Sequence, residues 1–288
     1  DASSKPYELW KTSSAGSFYW PKDQSVPLTF YAYAPTSDYT GTASWAGLTP
    51  STNFKAGGKI QFDYTVPVSS STPRVDAEAQ PDILLSSVKK KRSDLSEYEE
   101  DTDTKYAIVP LKFYHALCAV EFKANAYTGG DNKGLLKADV TVTSVSLGNL
   151  KGSGTCTFDP SATTGTKSAD YISWDFTDVT DNEGNYSQTF SFVNDNPGGD
   201  DLQAAIGTEA QTFMLIPQTV GVKTATTDPV SDSPDASVTL GYQINGKAKT
   251  KSVDLYKDKS YTWKAGKKYT YYLTGDLTSL TLDGSVLS

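Results

Sequence analysis

The chain is poor in the residues from which reactive centres are most often built. Its 288 residues include one histidine, His115, one methionine, and two cysteines, Cys118 and Cys156. Neither CxxC nor HxxxH spacing occurs, so a zinc site would need carboxylates to complete its ligands. No Gly-x-Ser-x-Gly run is present to recruit the histidine to a nucleophile elbow. No run of about 18 apolar residues occurs, so no segment reads as a helix that spans a bilayer. Helical spacing is nearly absent; the stretch DDLQAAIG alone is expected to form a short helical turn, with Asp200 or Asp201 as cap. Positive charge is also in deficit. The 26 Lys and Arg against 34 Asp and Glu leave a net charge of −8, which argues against a phosphate-tracking surface and against nucleic acid as a partner.

What the chain does have is aromatic and alternating. With 37% hydrophobic residues, 18 Tyr, 11 Phe and 5 Trp, it is too aromatic for a disordered polymer. In KIQFDYTV, Ile60, Phe62, Tyr64 and Val66 share one face, and in ASVTLGYQI so do Val238, Leu240, Tyr242 and Ile244, the period-2 pattern of half-buried strands. PLTFYAYAP, PDILLSSV, ADVTVTSVSLGNL, YSQTFSFV, QTFMLIPQ and GKKYTYYLTG read the same way. Turn-forming clusters such as YTGGDNKG, DNEGN and NDNPGGDD separate them. Asn245–Gly246, between two strand-like runs, predicts a tight hairpin. The expectation is an all-β chain of two β-sandwich domains, residues 1–160 and 161–288, divided at the Thr/Ser/Gly-rich PSATTGTKSAD. One long sandwich with inserted loops is the alternative. The chain opens at Asp1 without methionine or an apolar signal core, and is expected to be a mature or trimmed form.

His115 sits where an alternation changes phase. In VPLKFYHALCAVEFKA the apolar face runs through Val109, Leu111 and Phe113, then through Ala116, Cys118, Val120 and Phe122. Such a flip predicts a bulge or bend near Tyr114–His115, with His115 in a structural role, bonding a backbone group freed by the broken ladder. Cys118 lies three residues on, a spacing that points side chains of an unbroken strand to opposite faces. Cys118 and Cys156 could close a loop of about 38 residues, worth roughly 4 kcal/mol in the chain-entropy model, or remain buried free thiols.

Acids cluster in turns. Asp195, Asp200 and Asp201, or Asp178, Asp181 and Glu183, could ligate calcium, but neither set follows an EF-hand pattern, and turn chemistry accounts for both. Trp10, Trp20, Trp45, Trp174 and Trp263 could line a sugar site, but no residue spacing favours that, and most of them read as core or interface anchors. The segment from Lys89 to Asp103 passes from basic to acidic without apolar periodicity and is expected to be a solvated loop, with a binding or protease-sensitive loop as its functional reading. No catalytic residue, cofactor or metal site is expected; the chain reads as a non-enzyme.

Several short motifs, in order, resemble the fimbrillin family, the type V pilins and related surface proteins of Bacteroidetes. They are SFYWPKDQSVPLTFYAYAP (17–35), DILLSS (82–87), VPLKFYHALCAVEFKA (109–124), VTSVSLGNLKGSGTCTFD, TFMLIPQT (212–219) and YTWKAGKKYTYYL (261–273). The resemblance runs from about residue 17 to 275.

It implies two transthyretin-like Greek-key β-sandwich domains in tandem, export as a lipid-anchored precursor, and a place on the outer surface in outer-membrane-anchored fimbriae. It also implies assembly with other copies or related pilins by strand addition, where backbone bonds give affinity and alternate side chains give register. Stalk pilins of the family are cleaved after an arginine near the start; here the arginines are Arg74 and Arg92, and Lys5 and Lys11 are the basic residues near the start. The last segment, LTSLTLDGSVLS, places Leu280, Leu282 and Val286 on one face, and residues 277–288 are the expected donor strand. Burying those three side chains would contribute roughly 5–8 kcal/mol before ordering costs. The expected function is therefore a structural fimbrial subunit with a role in adhesion. The alternative is a surface adhesin module that binds glycan or host protein, through loops such as 86–105, without polymerising.

Overall fold

The computed structural model describes residues 20–36, 47–67, 80–95, 97–99, 105–125, 140–162, 167–176, 183–193, 203–205, 212–221, 236–244, 246–255, 261–275 and 280–287. Its strands are β1 (Leu28–Ala34), β2 (Ile60–Thr65), β3 (Leu84–Lys90), β4 (Glu97–Glu99), β5 (Lys105–Ala107), β6 (Tyr114–His115) and β7 (Cys118–Asn125). They continue with β8 (Val140–Lys151), β9 (Ser153–Phe158), β10 (Ile172–Asp175), β11 (Glu183–Val193), β12 (Gln203–Ala205) and β13 (Phe213–Leu215). The last are β14 (Thr219–Val220), β15 (Ser237–Ile244), β16 (Lys247–Asp254), β17 (Tyr261–Thr262), β18 (Lys268–Gly275) and β19 (Leu280–Leu287). Two single turns of helix, α1 (Pro50–Asn53) and α2 (Ser168–Tyr171), interrupt them. The chain is all-β, as its alternation predicts, and among the described residues no helix is long and apolar enough to cross a membrane.

Contacts divide the chain into two units, residues 1–30 with 89–110 and residues 31–88 with 111–288. In the smaller, Trp20 packs on Phe30 with ring centroids 5.6 Å apart, and β4 pairs antiparallel with β5, setting Tyr98 opposite Tyr106. The segment expected to be a solvated loop therefore contains a strand, which pairs with Lys105–Ala107.

The larger unit holds the main sheets. Strands β10, β9 and β2 lie side by side in that order, as do β11, β8, β15 and β16. A further sheet runs β12, β7, β18, β19, with β13 also on β7. The boundary expected near Pro160 does not separate this pairing: β8 joins β11 and β15, β9 joins β10, and β7 joins β18, each across that point.

Alternation places the core. Along β2, Ile60, Phe62 and Tyr64 are buried while Gln61, Asp63 and Thr65 are exposed. Val238 and Leu240 of β15 are fully buried. The tight hairpin forms as expected, Ile244 pairing with Lys247 across residues 245–246, and Gly246 takes φ 72°. The helical turn expected in DDLQAAIG does not form at Gln203–Ala205, which is strand β12 on the edge of β7. A few residues with helical spacing cannot nucleate a helix alone, so a ready ladder wins.

Candidate functional site: a terminal sheet edge

β18 organises this edge. Tyr269 and Tyr271 alternate with Lys268 and Thr270, and both tyrosines are buried. The Trp263 indole donates to the Tyr271 hydroxyl at 2.8 Å, and Phe122 of β7 stacks on Tyr271 with centroids 5.6 Å apart. The Lys264 N–H donates to the Tyr269 hydroxyl at 2.7 Å. Trp263, Tyr269 and Tyr271 thus keep their polar tips satisfied. At Thr270, which is fully buried, the hydroxyl donates to Glu121 Oε1 at 2.7 Å, while Lys268 pairs with Glu121 Oε2 at 2.7 Å. These contacts fix β18 in parallel beside β7.

The other side of β18 takes the terminal strand. β19 pairs with it antiparallel over eight residues, with Leu280 opposite Gly275, Leu282 opposite Leu273 and Val286 opposite Tyr269. β19 is last in the sheet order, with no further ladder partner among the described residues. The expected donor segment is therefore an edge strand of its own chain's sheet. The opposite edge of the neighbouring sheet, β16, differs in chemistry: it carries Lys247, Lys249 and Lys251 and is exposed almost throughout, a composition that discourages pairing with other strands.

The phase flip at His115 is a change of sheet. β6 pairs with β3, setting Leu84 opposite His115, whereas β7 belongs to the sheet of β18. Between them Ala116 and Leu117 are both buried, which no regular strand permits in succession at a half-solvated surface. Their backbone groups are nevertheless satisfied. The Ala116 N–H donates to the Ile83 carbonyl at 2.8 Å, the Trp174 indole donates to the Ala116 carbonyl at 3.0 Å, and the Gly266 N–H donates to the Leu117 carbonyl at 2.8 Å. Gly266 has φ 67°, and a Cβ there would run into the Ser168 side chain, so both conformation and space call for glycine.

His115 itself points to solvent. Its Nδ1 lies 2.9 Å from Asp82 Oδ1, with side chains 52% and 46% exposed, and its backbone N–H donates to Ser168 Oγ at 3.1 Å. The ring's partner is thus a carboxylate and not the freed carbonyl, which Trp174 takes. That hydrogen bond to Asp82 raises the imidazole pKa, against the opposing effect of desolvation, with the carboxylate's charge adding to the rise. His115 and Cys118 are not brought together: Cys118 is fully buried and its thiol donates to the Leu215 carbonyl at 3.4 Å. Cys156 is buried in β9, opposite Phe62 and Trp174, and both cysteines are free. The disulfide left open between them is not formed; each thiol fills a core position in a different sheet. Burial pushes both thiols up, well away from the thiolate form.

Of the tryptophans, Trp263 is in the core and Trp174 packs against it, while Trp10 and Trp45 lie outside the described residues. So do the two calcium-ligand sets, apart from Glu183 at the start of β11. Among the described residues no group of three or more His, Cys, Asp or Glu could hold a metal ion. Elsewhere the acids do turn chemistry: Asp159 accepts from the N–H and hydroxyl of Ser161, and with Lys59 at 2.6 Å its carboxyl is lowered to about 2, Lys59 being the largest cause. Two buried glutamines escaped the sequence reading. Gln218 accepts from the Lys151 N–H and donates to the Lys151 and Ile216 carbonyls, and Gln80 bridges the carbonyl of Thr212 and the N–H of Met214. A polar residue next to the apolar run FMLIP was the one available signal for Gln218.

The sequence model of the fimbrillin-like family matches residues 2–287. This chain belongs to that family. Fimbrillin-like proteins are structural proteins, not enzymes, and membership supports a fimbrial or adhesion role at the cell surface. No curated protein matches the chain. Among solved structures it is similar to a fimbrial protein from Bacteroides vulgatus, with 16% identity, TM-score 0.41, and coverage of 93% of this chain and 79% of that one. A candidate cell adhesion protein from Bacteroides uniformis matches with 19% identity and TM-score 0.39, covering 94% of this chain and 75% of that one. Another, from Bacteroides ovatus, has 16% identity and TM-score 0.41 over 90% of this chain, which spans 66% of its length.

Proposed function

We propose that this fimbrillin-like chain is a structural subunit of a cell-surface fimbria, joined to neighbouring copies or related pilins by strand addition, with residues 277–288 as the donor. The observation that carries the reading is family membership across nearly the whole chain. The eight-residue antiparallel ladder between β18 and β19 supports it, because the same register could be filled by the equivalent strand of a neighbouring copy. Export, and attachment of a precursor to the outer membrane through lipid, belong to this reading. The test is to delete residues 277–288 and follow assembly by electron microscopy. A soluble monomer that forms no fibres, yet takes up a synthetic 277–288 peptide, is the expected result. Fibres that persist after the deletion would refute the donor role.

A second reading is favoured by the same strand. Because β19 pairs within its own chain, the sheet is complete without a neighbour, as befits an adhesin module that does not polymerise. An intact chain that stays monomeric under every assembly condition, with β19 protected from amide exchange, would select this reading.

A further inference from the structure

Edge strand β16 carries Lys247, Lys249 and Lys251 at every second position, all exposed. Its register with β15 sets them opposite Ile244, Tyr242 and Leu240. Directly opposed residues of an antiparallel pair share a face, so the lysines stand on the face of Val238 and Leu240, which are fully buried. On β16 the core reaches only Val253, and the three lysines continue that face as a solvated shelf. At the rise of an extended strand the lysines are rooted about 7 Å apart along one line. None of their ammonium groups has an ion-pair or hydrogen-bond partner among the described residues. Tyr242, half-buried against the core, lies opposite the middle lysine.

One inward lysine is enough to discourage edge-to-edge pairing. Three in line, with no acidic partner among the described residues, on a chain of net charge −8, offer more than that. We propose that the β16 row is a docking surface for an acidic polysaccharide, an extended polymer bearing carboxylates along its length. A linear row of cations fits a linear polymer, whereas a small free anion would engage a single lysine. A membrane presents a plane of charge, but this row is one lysine wide, because the residues beside it on the same face of β15 are Leu240, Tyr242 and Ile244. The excess negative charge of the molecule repels densely charged duplex nucleic acid and tolerates a sparser polymer. The Tyr242 ring adds an apolar surface beside the cations against which sugar C–H groups can pack. The inference goes beyond the fimbrial reading, resting on it only in that a surface protein meets such polymers.

The test measures binding of the full chain to polygalacturonate and to neutral dextran at low and high salt. The triple variant Lys247→Gln, Lys249→Gln, Lys251→Gln is compared with a control of equal charge loss, Lys22→Gln, Lys55→Gln, Lys264→Gln, and far-ultraviolet circular dichroism verifies that each variant is folded. Salt-sensitive binding to polygalacturonate and none to dextran is expected. The β16 variant should bind about tenfold more weakly, each exposed charge contact contributing about twofold, while the control binds as the parent does. Equal loss in both variants, undiminished binding by the β16 variant, or binding to phosphatidylglycerol vesicles in place of polygalacturonate would overturn the proposal. So would a β16 variant whose one change is in self-association. The fimbrial reading is judged separately, by fibre formation after deletion of residues 277–288.

Discussion

The indole of Trp174 donates a 3.0 Å hydrogen bond to the carbonyl of Ala116, the residue at which the chain leaves one sheet for another. Ala116 is fully buried, so without this donor its carbonyl would be stranded away from water. The Trp174→Phe variant keeps an aromatic ring against Phe62 and Tyr64, its edge-on neighbours, but removes the donor. It should lose about 1–3 kcal/mol of stability, read as a lower midpoint in urea with an unchanged slope. A variant as stable as the parent would show that the carbonyl finds another partner.

His115 and Asp82 make stability depend on pH in a defined direction. The folded-state pKa of His115 is raised, so its contribution is fully present below the unfolded value and is lost as pH rises through the folded one. Both side chains are about half exposed, which holds the effect to the scale of a surface pair, about 0.5 kcal/mol. His115→Gln should therefore be less stable than the parent at about pH 5.5 and equal to it by about pH 8.5. A gap that widens with pH would contradict the assignment.

The two thiols should be silent until the fold is opened. Cys118 and Cys156 are free and fully buried, and burial disfavours the thiolate that alkylating and disulfide reagents require. The native protein should not react with Ellman's reagent, while two thiols per chain titrate in about 6 M guanidinium. Reaction in the native state, or none after denaturation, would contradict the free, inert pair.

Alternation made much of this architecture legible in the amino-acid sequence. The faces of KIQFDYTV and ASVTLGYQI became the buried faces of β2 and β15, because a half-buried strand leaves a period-2 record of its environment. The phase flip near His115 marked a real event, but sequence predicts a bend and cannot say that its two arms enter different sheets. Parallel pairing of β7 with β18 leaves no local trace, since each strand reads the same beside any neighbour. Gln218 shows in the sequence only as a polar residue beside an apolar run: its backbone partners include Lys151 and Ile216, and the bridge to residue 151 exists only after folding. The lysine row of β16 was visible as letters, yet its place on the core face needed the register with β15.

Glu121 and Thr270, whose hydrogen bond locks β7 to β18, are 149 residues apart in sequence. The middle of that sheet cannot close until residue 270 has been made, so the edge of β7 that β18 takes must wait uncovered, although β12 and β13 can already pair with its other edge. Long-range pairing of this kind slows folding and exposes intermediates to aggregation.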